Sequence, residues 1–180
     1  RNNKIQKRNI GGYWINDNDI HDKFYVQKFF NKDLIYNLIF ICIFLFAFSL
    51  RLYSLGDRAV HHDESLHGFF AYQMYIGSGY EHNPLMHGIF LFQLVSLSFF
   101  IFGDSEFSLR FPMALVGSII IFLPILMKDR LGYLGSIFAS VMLAISPSIL
   151  YFSRFARNDI FMLFIFLVLV ISMWKYFSNK

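Results

Sequence analysis

Residues 61–88 read HHDESLHGFFAYQMYIGSGYEHNPLMHG and hold five of the six histidines: His61, His62, His67, His82 and His87. Asp63, Glu64 and Glu81 sit among them. A carboxylate beside a low-dielectric surface has a tunable proton affinity and can serve as a general base. An imidazole or a second acid close by supplies donors that suit a divalent cation. The spacing matches no closed zinc signature, because there is no H-E-x-x-H and no cysteine pair. Metal binding is therefore compatible with these residues and not specified by them. The plain alternative gives Asp63 the role of a helix cap and the histidines that of interfacial polar residues. Residues 63–76 form a surface helix in this reading. Asp63 is at its start, Asp63 and His67 share one face, and Gly77 and Gly79 close it.

A second group follows at 153–159, SRFARND. Arg154 and Arg157 are three apart, and guanidinium forks suit phosphate oxygens. Asp159 opens the next helix, where the dipole favours a carboxylate. The two readings are an anion or lipid-phosphate clamp facing the first acids, and a capped helix with an Arg–Asp pair. Arg110, in GDSEFSLRF, reads as an interface anchor or a further phosphate contact.

These groups need elements to carry them, and composition says which. The 180 residues are 56% hydrophobic, 20% aromatic and only 16% charged, with mean hydropathy +0.48. Soluble domains are about a quarter charged, so polar surface is scarce here. Disorder is excluded by the apolar content, and a disulfide scaffold by the single Cys42. The reading is an all-α multi-pass membrane protein. Residues 1–33 form a polar tail in which seven Lys/Arg stand against four Asp. The acids argue against a nucleic-acid arm.

Four runs are apolar enough to cross: residues 34–50 and a few beyond, 111–127, 133–152 and 160–174. A cleaved signal peptide is a poor reading of the first, because the tail before it is long and no small-residue site follows. Arg51 is placed to snorkel from its end. Pro124 kinks the second run and Pro147 ends or bends the third. Small residues at 117, 118, 135, 136, 139 and 140 suit close helix contact. Residues 85–102 are ambiguous: their apolar core, Ile89–Phe102, is 14 residues long and includes Gln93, Ser96 and Ser98, and a run of that length is more often interfacial or re-entrant than spanning. With that segment at the surface and the N-terminus inside, all eight lysines are cytoplasmic, and Asp63 and Asp159 share the other side. The expectation is four spanning helices plus two juxtamembrane helices in a long outer loop, 56–106. The chain begins at Arg1 and stops at Lys180, just past an apolar run, so it reads as the N-terminal part of a longer protein.

The order of these motifs resembles the N-terminal part of the GT-C glycosyltransferases, the membrane class that includes protein O-mannosyltransferases and aminoarabinose transferases. The strings H-H-D-E-S-x-H-G and S-R-F-x-R-N-D are most similar to the prokaryotic branch labelled flippase-activity-associated. The resemblance covers residues 34–180. It implies transfer of a sugar from a polyprenyl-phosphate-linked donor to an acceptor hydroxyl on the non-cytoplasmic face of a prokaryotic plasma membrane. Asp63 matches the acid of the first outer loop, the family's general base. Glu64 and Asp159 join it as catalytic candidates. Arg154, Arg157, His62 and His67 become substrate-binding candidates, with guanidinium charge or a metal set against the departing phosphate. His82, with Glu81, stands where some relatives have a metal-binding glutamate. The partners implied are the lipid-linked donor, membrane lipids and the remaining helices of the full chain, with no nucleic acid. Two other classes compete. A non-catalytic module assisting lipid-linked saccharide handling would use the same arginines. A transporter would need ionisable groups inside the spans, which show almost none, Asn37 in the first being the nearest case.

Overall fold

The computed structural model describes residues 7–10, 13–80 and 88–178, with side chains from residue 32 onward. Glu81, His82 and His87 fall outside the described residues. Contacts divide the chain into two units, 1–39 and 40–180, and one helix runs from the first into the second. In the first unit a short antiparallel ribbon pairs β1 (Lys7–Ile10) with β2 (Tyr13–Asn16), Lys7 opposite Asn16. Helix α1 (Asp17–Leu52) follows directly.

The second unit is helical throughout its described residues. After α1 come α2 (His62–Tyr75), α3 (Ile89–Phe102), α4 (Glu106–Ile119), a 3₁₀ segment (Ile120–Met127), α5 (Lys128–Ile145), α6 (Pro147–Phe152) and α7 (Asp159–Ser178). Three stretches are long and apolar enough to cross a membrane: Lys32–Leu52, Glu106–Ile145 and Asp159–Ser178. The middle one folds back on itself. Gly132 takes φ 68°, ψ 178°, a conformation open to glycine and costly for other residues. Beyond it the Ser140 hydroxyl donates to the Ile121 carbonyl at 2.8 Å. From helical rise the first arm measures about 37 Å, enough for a hydrocarbon core of about 30 Å, while the second, 133–145, measures about 20 Å and approaches that thickness only with α6 added. Counting the two arms separately, the three stretches give four apolar segments, the number read from the apolar runs. The second arm breaks at Ser146, in front of Pro147. Helix α3 is about 21 Å long and lies short of a crossing.

The exposure pattern fits a lipid surround. On α7, Met162, Ile165, Phe166, Leu169 and Met173 are exposed along one face, while Ile160, Phe161 and Ile171 are buried. Helix α3 buries Leu91, Phe92, Val95 and Phe99 beneath α2 and α4, and its Ser98 hydroxyl donates to the Ser108 carbonyl at 2.7 Å. Ser105 caps α4 by accepting the Ser108 N–H.

Arg51 does not snorkel. It is fully buried, and its guanidinium donates to the Ala47 and Leu143 carbonyls at 3.0 and 3.4 Å. Both acceptors lie near helix C-terminal ends, where the carbonyl dipoles favour a cation. Gly117 makes room for it. A Cβ there would overlap the Ser153 Cβ and stand 3.2 Å from Arg51 Nε. Gly117→Ala is therefore expected to destabilise the protein by about 1–3 kcal/mol through overpacking, read as a lower unfolding midpoint in lipid nanodiscs. An unchanged midpoint would mean that α6 can shift away freely.

The ends of the bundle differ in charge. Leu55, Arg58, Glu64, Arg110 and the 153–158 loop meet at one end. At the other, Arg130 stacks on Trp174 at 5.0 Å and reaches the Ser178 hydroxyl, close to Lys128 and Lys175 in sequence.

Candidate functional site

Helix α2 starts one residue earlier than its sequence suggests, and His61 caps it rather than Asp63. The imidazole Nδ1 of His61 accepts the Asp63 N–H at 3.3 Å, and Glu64 returns to the His61 N–H at 3.1 Å. This reciprocal pair is a capping box with histidine in the usual Ser/Thr place. It frees the Asp63 side chain, which is 40% exposed.

The Asp63 carboxylate stands 3.4 Å from Arg157 Nη1. Nε of the same guanidinium stands 3.3 Å from the Asp159 carboxylate. One half-exposed arginine thus bridges two half-exposed acids, one from α2 and one from the first turn of α7. Residues 96 apart in sequence come together here, and both sequence motifs lie at one end of the bundle.

Glu64 is placed differently. Its side chain is fully buried, and five donors reach it. Arg110 binds both oxygens, from Nε at 2.9 Å and Nη2 at 3.1 Å. Arg58 Nη2 and the His61 N–H each approach Oε2 at 3.1 Å, and the Ala156 N–H approaches Oε1 at 3.0 Å. Arg110 is buried as well, and its remaining donors reach the Leu55, Arg58 and Ala59 carbonyls. All five of its N–H groups are committed. It is neither an interface anchor nor open to phosphate. Burial pushes the Glu64 carboxyl up, but the Arg110 guanidinium and the Ala156 and His61 N–H groups pull it further down, leaving it below the ordinary value. A carboxyl whose folded value is depressed stabilises the fold above its unfolded value near 4.5 and loses that contribution as pH falls further. Unfolding midpoints should therefore stay level from pH 7 to about 5 and drop below about 4.5. In Glu64→Gln part of that acid drop should vanish, and an identical profile would place the acid sensitivity elsewhere.

Arg154 and Arg157 part company. Arg154 donates to the Leu50, Tyr53 and Ser54 carbonyls, at 2.6 Å for Tyr53, and so closes the C-terminal end of α1. With Arg58, Tyr151, Leu55, Pro147 and Leu150 it lines a cavity of about 340 Å³. Arg58, to which the sequence alone assigns no site role, lies over the Phe155 ring at 5.2 Å and the Tyr151 ring at 5.9 Å. His67 is half-buried, with Nδ1 3.0 Å from the Ala156 carbonyl, so that nitrogen carries the proton. His62 is exposed on the first turn of α2. Among the described residues no three His, Cys, Asp or Glu side chains gather as a metal group.

The exposed carboxylates can accept a proton, and the arginines beside them can take up negative charge. Residues 86–180 match the protein family described as dolichyl-phosphate-mannose-protein mannosyltransferase. No curated protein and no solved structure matches the chain.

Proposed function

The chain belongs to the dolichyl-phosphate-mannose-protein mannosyltransferase family, and on that footing we propose that it transfers a sugar from a polyprenyl-phosphate-linked donor to an acceptor hydroxyl at the non-cytoplasmic face. The observation that carries the reading is the Asp63–Arg157–Asp159 bridge, which joins acids and cation at one end of the bundle. The side is argued from charge: Lys128, Arg130 and Lys175 belong to the opposite end, and basic ends are cytoplasmic. The two motif strings favour the prokaryotic flippase-activity-associated branch, and with it a prokaryotic plasma membrane and a cytoplasmic N-terminus.

In this reading Asp63 takes the acceptor hydroxyl proton as that oxygen attacks the anomeric carbon. The bond from that carbon to the phosphate oxygen breaks, and polyprenyl phosphate leaves with the electron pair. Arg157, flanked by the two acids, and Arg58 with Arg154 in the neighbouring cavity offer positive charge to the departing phosphate. The cavity's apolar wall of Leu55, Pro147 and Leu150 suits the first part of a lipid tail. Asp63 is favoured over Glu64 as base because Glu64 is enclosed and saturated with donors. A divalent ion, with Glu81 and His82 as its nominated ligands, is an optional addition, and no step above passes through it.

The test is sugar transfer from dolichyl-phosphate mannose by the intact membrane protein, with Asp63 present or replaced by Asn. Undiminished transfer without the carboxylate would end this assignment. If substituting Asp63 left function untouched while Arg58→Ala with Arg154→Ala abolished lipid-phosphate binding, the non-catalytic lipid-handling reading would take its place.

A further inference from the structure

The loop between α6 and α7 turns tightly at Ala156. The Arg157 N–H donates to the Phe155 carbonyl at 2.8 Å, a three-residue γ-turn. Ser54 is the one described non-glycine residue with positive φ, so the turn is of the relaxed, inverse kind. A γ-turn consumes the groups on either side of its central residue and leaves that residue's own N–H and C=O to find partners elsewhere. Ala156 is fully buried, so water cannot serve.

Helix α2 supplies both partners. Glu64 Oε1 accepts the Ala156 N–H at 3.0 Å, and His67 Nδ1–H donates to the Ala156 carbonyl at 3.0 Å. The two residues are three apart, on one face and one turn of the helix. Arg58 adds a longer contact to the Arg154 carbonyl at 3.4 Å. Asp63, just before Glu64, meets Arg157, just after Ala156. The helix that presents one acid of the site therefore also grips the peptide in front of the arginine facing it. Glu64 cannot drift, because the fully committed Arg110 holds both its oxygens.

We infer that Glu64 and His67 are a positioning pair that clamps the Ala156 peptide and so aims the Arg157 guanidinium between Asp63 and Asp159. Both act through Arg157 and neither touches substrate, which changes the roles that sequence resemblance suggested for them. The inference deepens the proposed transferase site and rests on it for its purpose. Its geometry can be tested without a substrate.

Two readouts on the intact protein in lipid nanodiscs decide it: backbone amide exchange of a peptide covering residues 153–159, and the rate at which phenylglyoxal modifies Arg157, both followed by mass spectrometry. His67→Leu removes the donor. His67→Asn puts an amide N–H where Nδ1 stood. In the Leu variant both rates at 156–157 should rise about fivefold, the worth of one net hydrogen bond. Peptides from α3 and α4 should exchange as before, and the Asn variant should recover most of the difference. Unchanged rates in His67→Leu would overturn the inference, and so would an equal rise through α3 and α4, which marks general loosening. Because neither readout uses a sugar donor, a failed transfer assay and a failed clamp are separate outcomes.

Discussion

Asp63→Asn is expected to cut sugar transfer by about 10²–10⁴-fold, the range that a positioned general base contributes. The substitution is nearly isosteric and keeps an oxygen that can accept from Arg157. What it removes is the ability to take a proton from the attacking hydroxyl. The folded state should hardly notice. Asp63 is 40% exposed and its ion pair with Arg157 spans 3.4 Å, and exposed pairs contribute only about 0–1 kcal/mol. The expected result is thus a large loss of turnover with unfolding and membrane insertion unchanged. Turnover measured with dolichyl-phosphate mannose decides between the two acids that Arg157 bridges. If Asp63→Asn is active and Asp159→Asn is dead, the base lies on α7.

Arg110→Met should act in the opposite way, through the fold. It strips a buried carboxylate of the cation that binds both its oxygens. Breaking a buried pair from one side typically costs about 3–5 kcal/mol when the other charge is left unpaired, and Glu64 would keep only the half-exposed Arg58 and two backbone N–H groups. The loss should be read as a collapse of the unfolding midpoint in nanodiscs, before any question of turnover. A second variant shows that the charge is at issue and not the volume. Arg110→Met with Glu64→Leu replaces the pair by apolar side chains and should regain part of the loss. Full recovery is not expected, because the His61 and Ala156 N–H groups would have no acceptor. A single variant within about 1 kcal/mol of the parent protein would show that Glu64 has found water or has taken up a proton.

The architecture was legible because the bilayer constrains it so strongly. An uncharged run is visible wherever it falls, and the length of α3 favoured an interfacial or re-entrant place over a crossing. The gap between the apolar runs 111–127 and 133–152 is where the second and third segments must reverse, and Gly132 lies in it. The meeting of the two motifs was legible too, since the two crossings between residues 61–67 and 153–159 return the chain to the same end. The division of labour among the charges was not. Arg51, Arg110, Arg154 and Arg157 look alike in the sequence, each next to an apolar run. One is sunk at helix C-terminal ends, one is locked to Glu64, one closes α1, and only the last faces the acids. Pairings such as Glu64 with Arg110, 46 positions apart, leave no local pattern. The hint that was available is that an acid among apolar residues must find a cation, and the Glu in HHDES and the Arg in FSLRF are candidates for each other on that ground. The cap shows the same limit. Asp63 is a better capping residue than histidine by type, yet its place is taken by His61, and the acid is released to face Arg157.

The hydrogen bond between Glu64 and the Ala156 N–H joins positions 92 residues apart. At about 5–20 residues per second the ribosome needs roughly 5–20 s to make the stretch between them. For the last part of that interval, once Arg110 has been made, the carboxylate lacks one of its five donors. Translation must pass the 153–158 loop before the last donor to the acid exists, so the enclosure of Glu64 is completed late in synthesis.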